Sequence, residues 1–414
     1  LSVEYYPNKI VNRKKQEEKI QNSVITPLMK NSYVSHLYIY GPSGSGKTFV
    51  TRKIFEKHYE EIKKRQPTYE YVYVCGLFAN SEHSFYISVL KQLSKYFPIE
   101  INGRKYNKIN QTGWSNQQFR EVLYELVENN NLKLVIVFDE IDKLILREKD
   151  DMFLNSMFRV NSERLRAGKI HFIAISNSLE VEKYFGTSLN SIMGGCKLHF
   201  PGYSVQDIFD ILHLFAKESL KEGTYSDEIL SKIAEYSGSF SQDVRRAIGI
   251  LKISAENAVD KITEEDVNKG IEEYDKETIK TELLSMNYHQ QKIIYSIAYL
   301  SIQIHEQQKE KQYKIIPSPE SEVTVNNVYN IYSRICNSTS VSPKSKSTVR
   351  RILEDFKQKG FINMQLKYFG RRGVSTVISL NSSEELIVEI LDSDENKWGE
   401  ILKKQEEIEE NERI

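Results

Sequence analysis

The stretch Gly41-Pro42-Ser43-Gly44-Ser45-Gly46-Lys47-Thr48 matches GxxxxGK[ST] at every fixed position. It stands directly after the apolar run Leu37–Tyr40 and directly before a helical pattern. Phosphate chemistry requires that setting. Glycines let backbone N–H groups close around phosphate oxygens, and a helix starting at the loop aims its positive end at the same anion. Gly41, Pro42, Ser43, Gly44, Ser45 and Gly46 are therefore expected to cradle the phosphates of ATP or ADP. Lys47 should reach the β- and γ-phosphates, and Thr48 should offer its hydroxyl to Mg²⁺. A chance glycine-rich turn would not explain a strand on one side and a helix on the other.

Further along, residues 134–142 read Leu-Val-Ile-Val-Phe-Asp-Glu-Ile-Asp. A buried strand ending in an acid puts Asp139 at the carboxyl edge of a sheet, where ligands bind in α/β folds. Asp139 is expected to help hold the magnesium, and Glu140 to act as the base that polarises the attacking water. A third strand, 171–175, runs into Ser176-Asn177-Ser178. Asn177 is expected to sense the γ-phosphate or orient water, although Ser and Asn also simply begin turns. In the later segment Ser241-Gln242-Asp243-Val244-Arg245-Arg246-Ala247, Arg245 is the candidate to reach back to the phosphates. Arg246 better suits a surface arginine paired with an acid.

These motifs sit in three regions of different pattern. Apolar runs at 36–40, 71–78, 132–138, 170–175 and 197–200 alternate with helical segments, which implies a mainly parallel sheet with helices on both faces. From Ser204 to about Tyr274 the strands stop and four helical patterns follow, with Ser204 and Ser226 as expected N-caps. From about Tyr288 come three helical patterns and then two short strands around Gly370–Gly373. The reading divides the chain into a nucleotide-binding α/β domain at 1–202, a helical lid at 203–276, a DNA-binding domain at 277–392 and an acidic tail at 393–414.

The last two segments decide what the bulk charge means. The 414 residues are 40% apolar and 28% charged with a net charge of zero, which fits a folded, soluble chain and argues on its face against nucleic acid. Residues 341–381, however, hold nine Lys/Arg against two acids, and residues 382–414 hold twelve acids against four bases. A basic module followed by an acidic segment suits local DNA contact. No apolar stretch is long enough to span a bilayer, so no membrane partner is expected. With no basic-then-apolar leader after Leu1, and three scattered cysteines (Cys75, Cys196, Cys336) in no metal pattern, a reducing cytoplasm with nucleoid association is expected.

Within the basic module, Val349, Ile352, Leu353 and Phe356 recur at helical core spacing. Ser347, Arg350 and Arg351 lie off that face, with Lys344 and Lys346 at its N-terminal approach. This is the form of a recognition helix entering a major groove N-terminus first. A hairpin with Arg371 and Arg372 at its tip would be the wing, reaching phosphates or a minor groove. The competing reading makes Arg350–Glu354 and Arg351–Asp355 plain i,i+4 pairs on a solvated helix.

FDEID at Phe138–Asp142, ISNS at Ile175–Ser178, HFPGYS at His199–Ser204 and DVRRAI at Asp243–Ile248, in this order and followed by a winged helix, resemble the archaeal origin-recognition initiators. That AAA+ family is related to the largest eukaryotic origin-recognition subunit and its cell-division-control partner. The resemblance spans about 6–380. It implies an AAA+ ATPase domain with a helical lid and a C-terminal winged helix, duplex origin DNA as ligand, and paralogous initiator subunits and the replicative helicase as partners. It also implies that Val11 and Arg13, in a short N-terminal box, lie by the adenine. Two departures stand out. The stretch 187–191 lacks the arginine that family members turn toward a neighbour's ATP. The segment 98–115, with Arg104, Lys105, Lys108 and Trp114, falls where such initiators insert a DNA-touching element, and otherwise reads as a solvated loop. A signal-transducing NTPase whose winged helix serves a protein partner is the alternative from another class; a clamp-loader-like remodeller is disfavoured for lack of a winged helix in that family.

Overall fold

The computed structural model describes residues 10–32, 34–101, 103–109, 112–163, 169–240, 243–310, 319–370, 373–392 and 397–411. The chain divides into two compact units, Leu1–Gly270 and Ile271–Ile414.

The first unit is built on five parallel strands: β1 (Leu37–Tyr40), β2 (Tyr69–Cys75), β5 (Lys133–Asp139), β6 (Ile170–Ser176) and β7 (Lys197–His199), in the order β2-β5-β6-β1-β7. A short antiparallel pair, β3 (Ile99–Ile101) and β4 (Arg104–Tyr106), lies between β2 and β5 in sequence. Period-two alternation divides the central strands between two cores. Val72, Val74, Leu134, Ile136, Phe138, Phe172 and Ala174 face one; Val135, Val137, Ile173 and Ile175 face the other. Both faces are covered, which is why 134–138 is apolar without interruption. On the second face lies the helix Lys47–Arg65, contributing Val50, Ile54, Phe55 and Ile62 at helical spacing. Asp139 continues the odd-numbered face and so meets the first turn of that helix.

Two elements end or pack differently from the sequence reading. The run 71–78 leaves the strand after Cys75, where the N–H groups of Phe78 and Ala79 turn back onto the Cys75 carbonyl. Leu77 and Phe78 are exposed as a result. The segment 98–115 is not a solvated loop. Its β3–β4 hairpin buries Ile99 and Ile101, and Trp114 packs edge-on against Tyr106.

The lid follows with helices Val205–Ser219, Asp227–Phe240, Val244–Asn257 and Glu264–Ser285. Ser204 opens the first through a reciprocal cap with Asp207, and Ser226 accepts from the Ile229 N–H at the start of the second. The unit boundary falls inside the fourth helix.

The second unit contains helices Tyr288–Glu310, Val325–Ser338 and Lys346–Gln358. These precede the hairpin β8 (Ile362–Tyr368) and β9 (Val374–Leu380), and the helices Glu384–Leu391 and Trp398–Asn411 follow it. Ile293, Ile297, Val328, Ile335, Val349, Leu353 and Phe356 form its core. Burying a side chain of this size is worth about 1.5–3 kcal/mol. The acidic C-terminal segment read as a tail at 393–414 carries a helix instead. Trp398 and Leu402, four apart on one face, are fully buried, and the Trp398 ring meets Tyr295 edge-on. No helix among the described residues is long and apolar enough to cross a membrane.

Candidate nucleotide site and nucleic-acid interface

The loop between β1 and its helix is closed by its own polar groups and by close backbone approach. Gly44 has φ +71°, and a Cβ there would lie 2.0 Å from an oxygen of the Asp243 carboxylate; a Cβ on Gly41 would lie 2.0 Å from the Phe200 carbonyl oxygen. Ser45 donates to the Pro42 carbonyl at 2.8 Å. Buried Lys47 folds into the loop, its Nζ donating to the carbonyls of Gly41 (2.9 Å) and Pro42 (2.6 Å) and to Ser45 Oγ (3.3 Å). Burial pushes its ammonium down to about 8. Gly46 caps the helix N-terminus in the left-handed conformation, and Thr48 stands in its first turn.

Thr48 Oγ1 donates to Asp139 Oδ2 at 2.6 Å, and the Tyr73 phenol donates to the same oxygen at 2.6 Å. Asp139 Oδ1 takes the Glu140 N–H at 2.9 Å. Glu140 sits at φ +54°, a region non-glycine residues rarely enter and one associated with functional strain. Its Oε2 is buried without a hydrogen-bond partner. Burial, and then the neighbouring Asp139 charge, raise its proton affinity above that of an ordinary glutamate. At the tip of β6 the Asn177 N–H is tied to buried Asp142 at 3.0 Å, while its side-chain amide makes no hydrogen bond among the described residues. A hydroxyl and a carboxylate in contact, both hard oxygen donors, fit a Mg²⁺ ion, and the unpartnered Glu140 oxygen fits a water to be activated.

The lid completes this site. Asp243 caps the helix Val244–Asn257 and chelates the Arg245 guanidinium, with Nη2 to Oδ2 at 2.6 Å; the same Nη2 donates to Ser43 Oγ at 2.8 Å. Arg245 therefore does both things the sequence allowed: it pairs with an acid and it reaches the phosphate loop. Arg246 is half-buried, its guanidinium 5.2 Å from the Tyr236 ring centre and donating to the Tyr236 hydroxyl at 3.3 Å.

Arg13 lies against the phosphate loop. Its buried guanidinium donates to Ser45 O (3.1 Å) and Pro201 O (2.7 Å) and lies 3.8 Å from the Tyr203 ring centre, so it braces the phosphate loop. Val11 is half-buried beside it, and Asn12 reaches Asp210 in the lid at 2.8 Å. Sequence reasoning gave no role to Tyr73, which carries no motif, nor to Asp243 and Tyr203 inside DVRRAI and HFPGYS; the sheet order and the lid contact bring them to the site. In the arginine-free stretch, Ser188 accepts instead from Arg159 of the helix Met152–Glu163.

In the second unit, Ser345 caps the helix Lys346–Gln358, with Val349, Leu353 and Phe356 fully buried and Ile352 half-buried. Lys344, Lys346, Ser347, Arg350 and Arg351 are all exposed. Asp355 pairs with Lys359, and among the described residues neither arginine forms an ion pair, against the i,i+4 reading. Beside the hairpin turn, Leu366 and Tyr368 are exposed, and Lys367 is paired with Glu322. Arg371 and Arg372 lie outside the described residues. Lys105 is exposed on β4, and Arg104 opens that strand.

Comparison with known proteins follows the same division of the chain. A family model described as an ATPase domain predominantly from Archaea matches residues 12–195. A Cdc6 AAA+ ATPase-type lid domain matches 209–272, and a CDC6 C-terminal winged helix domain matches 281–390. The ORC1-type DNA replication protein of Thermococcus kodakarensis is 26% identical over 395 residues, covering 94% of this chain and 89% of that one. The solved structure of the Aeropyrum pernix ORC1 protein in complex with DNA shares the fold with a TM-score of 0.73 at 19% identity, over 95% of both chains. That of the Aeropyrum pernix ORC2 protein in ADPNP–ADP complexes does so with a TM-score of 0.55 at 18% identity, over 94% of this chain and 95% of the other. With an AAA+ ATPase domain, lid and winged helix matched in order, the chain belongs to the ORC1/Cdc6 family of AAA+ DNA replication initiators.

Proposed function

We propose that this protein is an ATP-regulated initiator that grips duplex origin DNA and helps recruit the replicative helicase, alongside paralogous initiator subunits. The observation that carries the reading is the basic, unpaired face of the helix Lys346–Gln358 in a chain whose other unit holds a built nucleotide site. The domain limits 1–202, 203–276 and 277–392 and a cytoplasmic, nucleoid-associated location go with it.

In this reading the loop N–H groups and Lys47 hold the phosphates, with Lys47 exchanging its loop carbonyls for phosphate oxygens. Val11 flanks the base and Arg13 fixes the loop behind it. Thr48 and Asp139 hold Mg²⁺, which when bound supplies charge neutralisation on the phosphates. Glu140 takes the proton of the attacking water, its raised proton affinity suiting a base. Asn177 orients that water, and Arg245 leaves Asp243 for the γ-phosphate, so that occupancy sets the lid. Hydrolysis is slow and regulatory.

On DNA, Lys344 and Lys346 meet the backbone, and Ser347, Arg350 and Arg351 enter the major groove. Arg371 and Arg372 at the wing tip and Arg104 and Lys105 on the β3–β4 hairpin add phosphate contacts. A salt titration of duplex binding tests the reading: affinity should fall steeply and linearly in log–log form. Salt-independent or absent duplex binding would refute it.

A further inference from the structure

Asp139 is held by donors from three elements. Thr48, in the first turn of the phosphate-loop helix, and Tyr73, on the edge strand β2, both donate to Oδ2 at 2.6 Å, while the Glu140 N–H takes Oδ1. The register explains how Tyr73 arrives. β2 pairs with β5 so that Tyr73 lies opposite Val137, two residues short of Asp139 and on the same odd-numbered face. Its ring is itself fixed from above, with the Arg52 guanidinium 3.9 Å from the ring centre.

Carboxylates that bind metals are turned into place by partners behind them, and loss of such a partner typically costs about 10–100-fold in metal affinity. Resting on the proposed Mg²⁺ role of Thr48 and Asp139, we infer that Tyr73 is a positioning residue, fixing the Asp139 carboxylate for the divalent cation of the bound nucleotide. Thr48 is committed to the phosphate-loop side of the same oxygen. Among the described residues, only Tyr73 donates to the carboxylate from the side of β2, and its hydroxyl forms no hydrogen bond with the loop or Lys47.

The test is Tyr73→Phe in the full chain. This change keeps the ring and its stacking with Arg52 and deletes one hydroxyl. Affinity for a fluorescent N-methylanthraniloyl ATP is measured in EDTA and across a MgCl₂ titration. The inference predicts unchanged affinity in EDTA and a MgCl₂ midpoint raised about 10–100-fold. An unchanged midpoint overturns it. So does an equal loss of affinity with and without MgCl₂, which would make Tyr73 a wall of the pocket. A parent protein whose nucleotide binding ignores MgCl₂ would instead remove the Mg²⁺ reading of Thr48 and Asp139, and this inference with it.

Discussion

Replacing Arg13 with Met separates two accounts of the N-terminal box. If the guanidinium braces the phosphate loop, its loss is felt before any nucleotide arrives. Each hydrogen bond from a charged donor is worth about 1.5–3 kcal/mol. The bond to Ser45 O is buried and counts in full, whereas Pro201 is exposed and water can replace the second. Stacking on Tyr203 adds about 1 kcal/mol. Methionine keeps much of the apolar stem, so the net cost is about 3 kcal/mol. At about 2–4 °C per kcal/mol for a unit of this size, the melting transition of the nucleotide-free protein should fall by about 6–12 °C. Differential scanning calorimetry without nucleotide measures it, and Arg13→Lys should recover less than half, because an ammonium cannot bridge two carbonyls in a fixed fork. An unchanged nucleotide-free melt with weakened ATP binding would refute the bracing role and restore the adenine contact implied by family resemblance.

Lys47→Ala should abolish ATP binding by calorimetry while leaving the circular dichroism spectrum intact. Because burial holds the free ammonium near 8 and phosphates favour the charged form, affinity should be flat below pH 8 and fall severalfold by about pH 9; a flat profile there would argue against direct contact. Glu140→Gln should keep nucleotide and Mg²⁺ yet lose hydrolysis by about 10²–10⁴-fold in a phosphate-release assay, and parental turnover would dismiss Glu140 as the base. His36, buried with Nδ1 accepting the Phe172 N–H, is pushed down to about 4. Its neutral folded form loses ground as the unfolded chain protonates below about 6.5, removing about 2 kcal/mol by pH 5; His36→Asn should flatten that part of a urea-midpoint-against-pH curve. On DNA, Arg351→Ala should cost about 1–3 kcal/mol on the preferred duplex and less on scrambled ones, whereas Lys344→Ala with Lys346→Ala should make the log–log salt slope shallower by about 1–2 on every sequence. Gel shifts at several salt concentrations distinguish the two effects.

What could be read from the sequence was whatever local spacing dictates. GPSGSGKT specifies a loop, a helix start and a lysine within one short segment, and the apolar run into Asp139 specifies a buried strand with an acid at its end. Core spacing at Val349, Leu353 and Phe356 separated the inner and outer faces of the recognition helix. The role of Tyr73 was hidden because it depends on β2 lying beside β5, a pairing between segments far apart in sequence. For Arg13, resemblance identified the neighbourhood but not the hydrogen bonds to Ser45 and Pro201. The strand end at Cys75 was missed because Leu77 and Phe78 are apolar enough to extend the run, and only the turn onto the Cys75 carbonyl stops it. The C-terminal helix was overlooked because acids outnumber Trp398 and Leu402, although burial of those two decides where its first turn lies.

The strand order has a consequence for how this protein is made. β1, which carries the phosphate loop, finds both its neighbours late in the chain, in β6 and β7. During synthesis the segment Leu37–Tyr40 must leave the ribosome and wait, unpaired, until residues 170–199 have followed it. At about 5–20 residues per second that interval lasts on the order of ten seconds, during which a sticky apolar strand has no ladder to join. The nascent chain is thus most exposed to mispairing through the very segment that later holds ATP, and nucleotide cannot protect it, because the loop acquires its shape only once β7 and the residues following it are in place.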